Sequence, residues 1–169
     1  MMDFERGLTA DRLRELLRYS PSTGEFHWRV TNSARRPAGS IAGDLKPSGY
    51  VLIGIDGERY RAHRLAWVYM TGEWPPGQVD HRDRDRANNR WSNLRIATNQ
   101  QNQANAGVSR NSTSGVKGVY WNKQRQKWQA KLCVGRRQIH GGFYDDIDRA
   151  SSAYQRIAQS YFGEFARAA

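Results

Sequence analysis

The sequence predicts an α+β protein in two parts: a central strand-loop-strand-helix unit preceded by an N-terminal helix and short strands, and a C-terminal three-stranded sheet packed on one helix. Helical periodicity is confined to four stretches, and β-prone runs bounded by turn residues fill most of the rest. The pattern then changes across a Gly/Ser/Asn-rich segment at 106–115, which reads as a linker. The expected organisation is therefore 1–105, with the strand-loop-strand-helix core at about 77–106, then the linker, then 116–169.

Taken in order, the first helix is signalled by Thr9 as N-cap, by Leu8 and Leu13 as a staple across it, and by the stripe Leu13, Leu16, Leu17. It is expected to run to about Tyr19, before Ser20 and Pro21. "TGEFHWRV" and "GYVLIGIDGERYRAHRLAW" read as short strands, with Asp56-Gly57 as the turn of a hairpin. "AHRLAWVYMTGE" is the second helix, stopped by Trp74-Pro75-Pro76. "QVDH" and "LRIAT" have strand character, and Thr98 with Gln101 forms a capping box for the short helix "NQQNQANA", which Gly107 can close. The last domain offers three β-prone runs and then a helix whose inner face is expected to carry Ile147, Ala150, Tyr154, Ile157, Ala158 and Tyr161.

Of 169 residues, 27 are Lys or Arg and 16 are Asp or Glu, a net charge of +11 that favours a polyanionic partner through counterion release. An acidic membrane is a poor candidate, because no run approaches the roughly 20 apolar residues of a span. The N-terminal "MMDFERGLTADRLRELL" lacks the basic-then-apolar order of a secretion signal, so a cytoplasmic location is expected. The single Cys133 allows neither a disulfide framework nor a cysteine-rich zinc site, so no structural zinc is expected.

The polar stretch "VDHRDRDRANNRWSNLRIATNQQN" carries the candidate chemistry. Its order puts His81 near the end of the first strand, Asn93 just before the second, and Asn102 in the first turn of the helix. Hydrolysis of a phosphodiester needs an activated water and a cation held against the phosphate. Neutral imidazole accepts a proton near pH 7, which suits His81 to the role of base. Asp80 and Asn102 offer oxygen ligands for one hard divalent ion, Mg²⁺ first and Mn²⁺ as the alternative. On a regular strand, adjacent Asp80 and His81 point to opposite faces, so a shared site requires the chain to bend there. Asn88, Asn89, Asn99 and Asn105 read as turn, cap or surface residues, and His63 as a packed or phosphate-contacting histidine. Asp83 and Asp85 do not begin a calcium loop, since Leu94 stands where its closing Glu belongs.

"VDHRDRD", "NNRWSNLRIAT" and "NQQNQAN" resemble the HNH endonuclease family, in the phage and intron-homing branch where the last histidine is replaced by asparagine; "AHRLAWVYMTGEWPP" resembles phage members too. The resemblance implies a ββα-metal unit in which His81 is the general base, Asp80 and Asn102 hold one divalent ion, and Asn93 braces the loop bearing the histidine. The family usually has glycine where Arg84 stands, in the turn after the paired aspartates. A positive φ there would strain an arginine by roughly 1–3 kcal/mol.

Between Val108 and Tyr144 the chain has eight Lys or Arg, among them Arg110, and no acidic residue. In "KWQAKLCV", Trp128, Ala130, Leu132 and Val134 alternate with Gln129, Lys131 and Cys133, which gives one face for the helix and one for DNA. Trp121 and Trp128 are expected in the core. "KGVYW", "KWQAKL", "IHGGFYD" and "ASSAYQRIA" resemble the plant ethylene-response-factor DNA-binding domain over about the last 55 residues. That implies a three-stranded sheet reading the major groove, with Lys117, Tyr120, Lys131, Arg136, Arg137, Gln138 and His140 as its DNA-binding residues. Tyr120, Cys133, Gln138 and His140 stand where plant members carry Arg or Trp, so the plant target does not transfer, and Gly141 in place of the usual Leu is expected to loosen the packing.

The function expected from these residues is a metal-dependent endonuclease acting on double-stranded DNA, a monomer nicking one strand, anchored by its last domain. Its rival is a DNA-binding regulator that keeps a decayed nuclease unit, the reading toward which Arg84 leans. An RNA-binding protein would fit the charge but leave Asp80, His81 and Asn102 without a purpose.

Overall fold

The N-terminal helix ends earlier than its stripe of leucines suggests. In the structure, a computed structural model describing residues 7–31, 33, 36–109 and 111–166, α1 spans Ala10–Leu16. Thr9 caps it by accepting from the Arg12 N–H, and Leu8 and Leu13 are both buried, as the staple requires. The chain then straightens because Leu17–Tyr19 (β1) pairs antiparallel with Phe26–Trp28 (β2), and strand pairing outweighs another helical turn. Arg110 lies outside the described residues.

The chain divides into two units, 1–97 and 98–169. In the first, β3 (Asp44–Leu45), β4 (Val51–Ile55) and β5 (Glu58–Arg61) form a meander. The β4–β5 hairpin turns through Asp56 and Gly57 at φ 48° and 87°, the two positive values that an Asp-Gly turn supplies. Helix α2 (Ala62–Thr71) stops at Gly72, φ 85°, two residues inside the expected end, because a left-handed glycine terminates it before the prolines. Strands β6 (Gln78–His81) and β7 (Leu94–Ala97) pair antiparallel, joined by the long polar loop and a 3-10 turn at Trp91–Asn93. The core gathers Leu13, Leu17, Phe26, Ile53, Ile55, Leu65 and Val68, each no more than 2% exposed, with Val79 and Leu94 from the β6–β7 pair. Each such side chain contributes about 1.5–3 kcal/mol by leaving water, which anchors the strand that carries Asp80 and His81.

The second unit starts earlier than its sequence indicates. Helix α3 (Asn99–Asn105), with the expected capping box of Thr98 and Gln101, packs against α4 (Ile147–Phe162) and the 3-10 turn that follows it. The division thus falls before the helix, at Ala97/Thr98, rather than in the 106–115 segment. Part of that segment is built into the unit, for the Ser114 hydroxyl donates to the Val119 carbonyl at 2.6 Å. Gly107 does not close α3. Its last turn is capped from a distance by the Lys117 ammonium, which donates to the carbonyls of Gln103, Ala104 and Ala106 at 3.0, 2.5 and 2.7 Å.

Strands β8 (Val119–Asn122), β9 (Lys127–Val134) and β10 (Arg137–Tyr144) form an antiparallel sheet in the order β10-β9-β8, with Val119, Ala130 and Leu132 against Ala150, Ala153, Tyr154 and Ala158 of α4. Asp146 caps that helix. Ala153 occupies the inner face where Tyr161 was expected, and Tyr161 is 54% exposed. Trp128 packs against the core, but Trp121, its cross-strand partner, is exposed at 41%. Gly141 tightens the packing rather than loosening it: at this bulge an added Cβ would stand 2.7 Å from Ile157 and 2.8 Å from the Ala130 methyl.

Candidate active site

His81 is 4% exposed at the end of β6, and its Nε2 lies 3.1 Å from Oδ1 of Asn89. The other end of that amide donates to the Ala87 carbonyl at 3.1 Å. A carbonyl can only accept, so the amide must turn its NH₂ to Ala87 and its oxygen to His81. The imidazole therefore carries its proton on Nε2 and its lone pair on Nδ1. Asn89, read from the sequence as a turn residue, is 2% exposed; the Tyr19 hydroxyl donates to its carbonyl at 2.6 Å, and Trp91 N–H bonds Pro21. The β1–β2 turn thus buttresses the loop, and Gly24 is required there: a Cβ would collide with Asn89 and Arg90 backbone at 2.5 Å. Burial pushes the Tyr19 phenol up, above the usual range.

Asn93 ties the loop into a ring. Its Nδ2 donates to Asp83 Oδ1 and to the Asn88 carbonyl, both at 2.8 Å, while its Oδ1 accepts from the Asp83 N–H at 3.1 Å. Asn88 adds a 2.6 Å bond to Asp83 Oδ2. Burial opposes ionisation of Asp83, but these donors and the Asp85 N–H outweigh it and hold the carboxyl below its ordinary value. Arg84 donates its N–H to the His81 carbonyl and takes φ 70°, so the turn does demand a left-handed residue.

The strand does not bend before His81. Asp80 pairs with Arg95 and His81 with Leu94 in unbroken register, so the two side chains leave on opposite faces. The Asp80 carboxylate is buried with Arg95, whose Nε and Nη2 both meet Oδ2 at 3.0 Å. The turn closed by Arg84 follows at once.

His63, 3% exposed in the first turn of α2, stands edge-on to His81 with ring centroids 5.0 Å apart, and 5.2 Å from the Tyr50 ring. Its Nδ1 is buried without a partner. Burial, reinforced by His81, Arg61 and Arg64, lowers its pKa to about 3, so it stays neutral and serves as an uncharged wall. Arg61 and Arg86 both lie over Tyr50, at 4.8 and 4.9 Å from its centroid, and Arg86 also donates to the Ser48 carbonyl at 2.9 Å. The "LKPSG" loop thereby borders the candidate site.

Asn102 lies in the second unit, half-buried on α3. A carboxylate and an amide oxygen are the donor chemistry of a hard ion that keeps several waters. Among the described residues no three His, Cys, Asp or Glu side chains gather into a metal-holding group, and no helix is long and apolar enough to cross a membrane.

In the second unit, Tyr120, Lys131, Gln138 and His140 share the sheet face turned away from α4. His140 is paired with Lys131, the Lys131 ammonium lies 5.1 Å from the Tyr120 centroid, and Gln129 meets His140 Nδ1 at 3.0 Å. Arg137 opposes Val134 and so alternates onto the other face, and Arg136 lies in the turn. Lys117 is engaged as the cap of α3.

A family model described as HNH endonuclease matches residues 60–104. Protein 3.8 of Escherichia phage T7 is 31% identical over 108 residues, 63% of this chain and 88% of that protein. The chain belongs to the HNH endonuclease family. It is also similar to the uncharacterized HNH endonuclease L560 of Acanthamoeba polyphaga mimivirus, 32% identical over 130 residues, 72% of this chain and 63% of that protein. Among solved structures it is similar to the HNH homing endonuclease I-HmuI, the subject of a study of DNA binding and cleavage, with 27% identity, a TM-score of 0.42 and coverage of 53% of this chain and 50% of that one. The chain thus spans half the length of that solved protein.

Proposed function

We propose that this chain is a metal-dependent endonuclease acting on double-stranded DNA, with His81 as general base. The observation that carries the reading is the fixed tautomer of His81: with Nε2 given to Asn89, the basic lone pair is on Nδ1, the atom that would take the proton from water. That water gives its proton to His81 and attacks phosphorus, and the leaving 3′ oxygen departs opposite it and takes a proton from solvent, giving 5′ phosphate and 3′ hydroxyl ends. A divalent ion, Mg²⁺ or Mn²⁺, would be held by Asp80 and Asn102 and would supply charge neutralisation at the phosphate and the leaving oxygen. Arg95 holds the Asp80 carboxylate in one orientation, and Asn93 keeps the loop closed behind His81. The phosphate would straddle the end of β6, reached by His81 from one side of the strand and Asp80 from the other. One such unit per chain favours a monomer that nicks one strand.

The basic sheet would anchor the protein, as in the ethylene-response-factor domains its sequence resembles, with Tyr120, Lys131, Gln138 and His140 toward the groove and Arg136 and Arg137 toward the backbone. The rival reading, a regulator with a decayed nuclease unit, rests on Arg84. The loop accepts Arg84 with the Asn93–Asp83–Asn88 bonds all made, which favours the nuclease. Incubation of supercoiled DNA with Mg²⁺ or chelator, beside His81→Ala, tests it: metal-dependent nicking by the wild type alone is expected. DNA retardation on a gel without cutting by either protein would turn the reading to the regulator.

A further inference from the structure

Two arginines from separate segments converge on one aromatic ring beside His81. Arg61 ends β5 and Arg86 belongs to the polar loop, yet both guanidiniums lie over Tyr50, at 4.8 and 4.9 Å. Both residues are exposed. Among the described residues no ion pair engages either one: Asp44 is taken by Lys46, Asp83 by Asn93 and Asn88, and Asp85 Oδ1 by the Ala87 N–H. Stacking on the phenol pre-orders both side chains, and the Ser48 carbonyl fixes Arg86 further. The guanidinium fork is shaped for phosphate oxygens. The ring beneath is 5.2 Å from His63 and 6.3 Å from His81, so an anion held there sits next to the proposed base.

From this convergence we infer that Tyr50, Arg61 and Arg86 form a phosphate anchor, which grips the DNA backbone beside the bond to be cut and sets the cleaved strand against His81. The inference rests on the nuclease reading and names a part of its substrate site. Arg61 and Arg86 are the gripping residues; Tyr50 is a positioning residue that acts through them.

The test is the salt dependence of binding to a fluorescent duplex, in chelator so that nothing is cut. Each phosphate contact contributes about 0.9 to the slope of log affinity against log salt. Arg61→Ala with Arg86→Ala should lower that slope by about 0.9 to 1.8, whereas the charge-matched control Arg18→Ala with Arg59→Ala should leave it near the wild-type value. Arg61→Lys with Arg86→Lys should keep most of the slope but lower the single-turnover cleavage rate about tenfold, because charge survives and the fork does not. Tyr50→Leu should reproduce that loss of rate. An unchanged slope in the first double variant, with wild-type circular dichroism, overturns the anchor, as does an equal loss in the control. If the wild type cuts and the slope of that variant is unchanged, the anchor fails and the nuclease stands. If the wild type never cuts but the slope falls as expected, the nuclease reading fails and the anchor stands as a DNA contact. Absence of DNA binding by the wild type overturns both.

Discussion

The Asn89 side chain holds His81 in a single tautomer: its amide nitrogen is committed to the Ala87 carbonyl, so its oxygen must accept from Nε2 of the imidazole. The loop that places Asn89 is in turn clamped by the Tyr19 hydroxyl on its carbonyl. Asn89→Ala removes the acceptor and lets the ring rotate or exchange tautomers. Misplacement on the scale of an ångström costs on the order of a hundredfold in rate, so single-turnover cleavage by Asn89→Ala should fall ten- to a hundredfold with DNA affinity unchanged. The ¹⁵N shifts of the His81 ring in the unliganded protein should show the protonated Nε2 of the wild type giving way to a mixture. A wild-type rate together with wild-type shifts would refute the role.

Arg84 bears a different kind of strain, written into the backbone rather than the side chain. At φ 70° it holds a conformation in which Cβ crowds the peptide, and glycine relieves that crowding. Arg84→Gly should stabilise the protein by about 1 kcal/mol after the greater chain entropy of unfolded glycine is subtracted. In a unit of this size that is roughly 4–8 °C in Tm. Arg84→Ala keeps the Cβ and should gain nothing. Thermal melts of the two variants separate backbone strain from any effect of the lost charge; equal melting temperatures for both would show that the strain account is wrong.

His63 makes stability depend on pH. Its folded-state pKa is lowered from 6.5 to about 3, chiefly by burial. Above pH 6.5 the imidazole is neutral in both states and contributes nothing to the slope. Between 6.5 and about 3 the unfolded chain takes up a proton that the folded one refuses, so stability falls as pH falls. In full the loss approaches a few kcal/mol, because each tenfold difference in proton affinity between the two states is worth about 1.4 kcal/mol. Denaturant melts at pH 7, 6, 5 and 4 should show this decline, and His63→Gln, whose side chain does not titrate, should flatten it. A slope identical in wild type and variant would assign the acid sensitivity to other groups.

How far the sequence reaches into this site depends on the range of the interactions involved. Turn and cap chemistry is local, so the Asp56-Gly57 hairpin, the Thr98–Gln101 capping box and the Thr9 cap follow from a few neighbouring residues. Arg84 is legible by another route, since the family that the polar stretch resembles usually has glycine in that turn. Asn89 is not. It differs from Asn88 only in facing inward, and that is decided by Tyr19, Pro21 and Gly24, some 70 residues away in the chain. Leu17 fits the stripe of α1 yet enters a strand, because the pairing with Trp28 lies beyond any local window. The Arg61–Tyr50–Arg86 convergence is hidden likewise: three ordinary surface residues from three segments carry no shared motif.

Lys117 shows how a residue of the right charge in the right domain can be committed elsewhere. Its ammonium satisfies three carbonyls at the end of α3, where the helix dipole favours a cation and no glycine closes the turn. Losing a charged donor to such carbonyls costs about 1–3 kcal/mol, so Lys117→Met, which keeps the stem and removes the charge, should lower the melting temperature of the second unit by several degrees. A phosphate contact would behave otherwise, lowering the salt slope of DNA binding by about 0.9 without loss of stability. Lys131, on the sheet face away from α4 and in line with Tyr120 and His140, provides the comparison. Lys131→Met should lower the slope and leave the melt in place, and the two lysines exchanging these signatures would overturn the assignment of which one meets DNA.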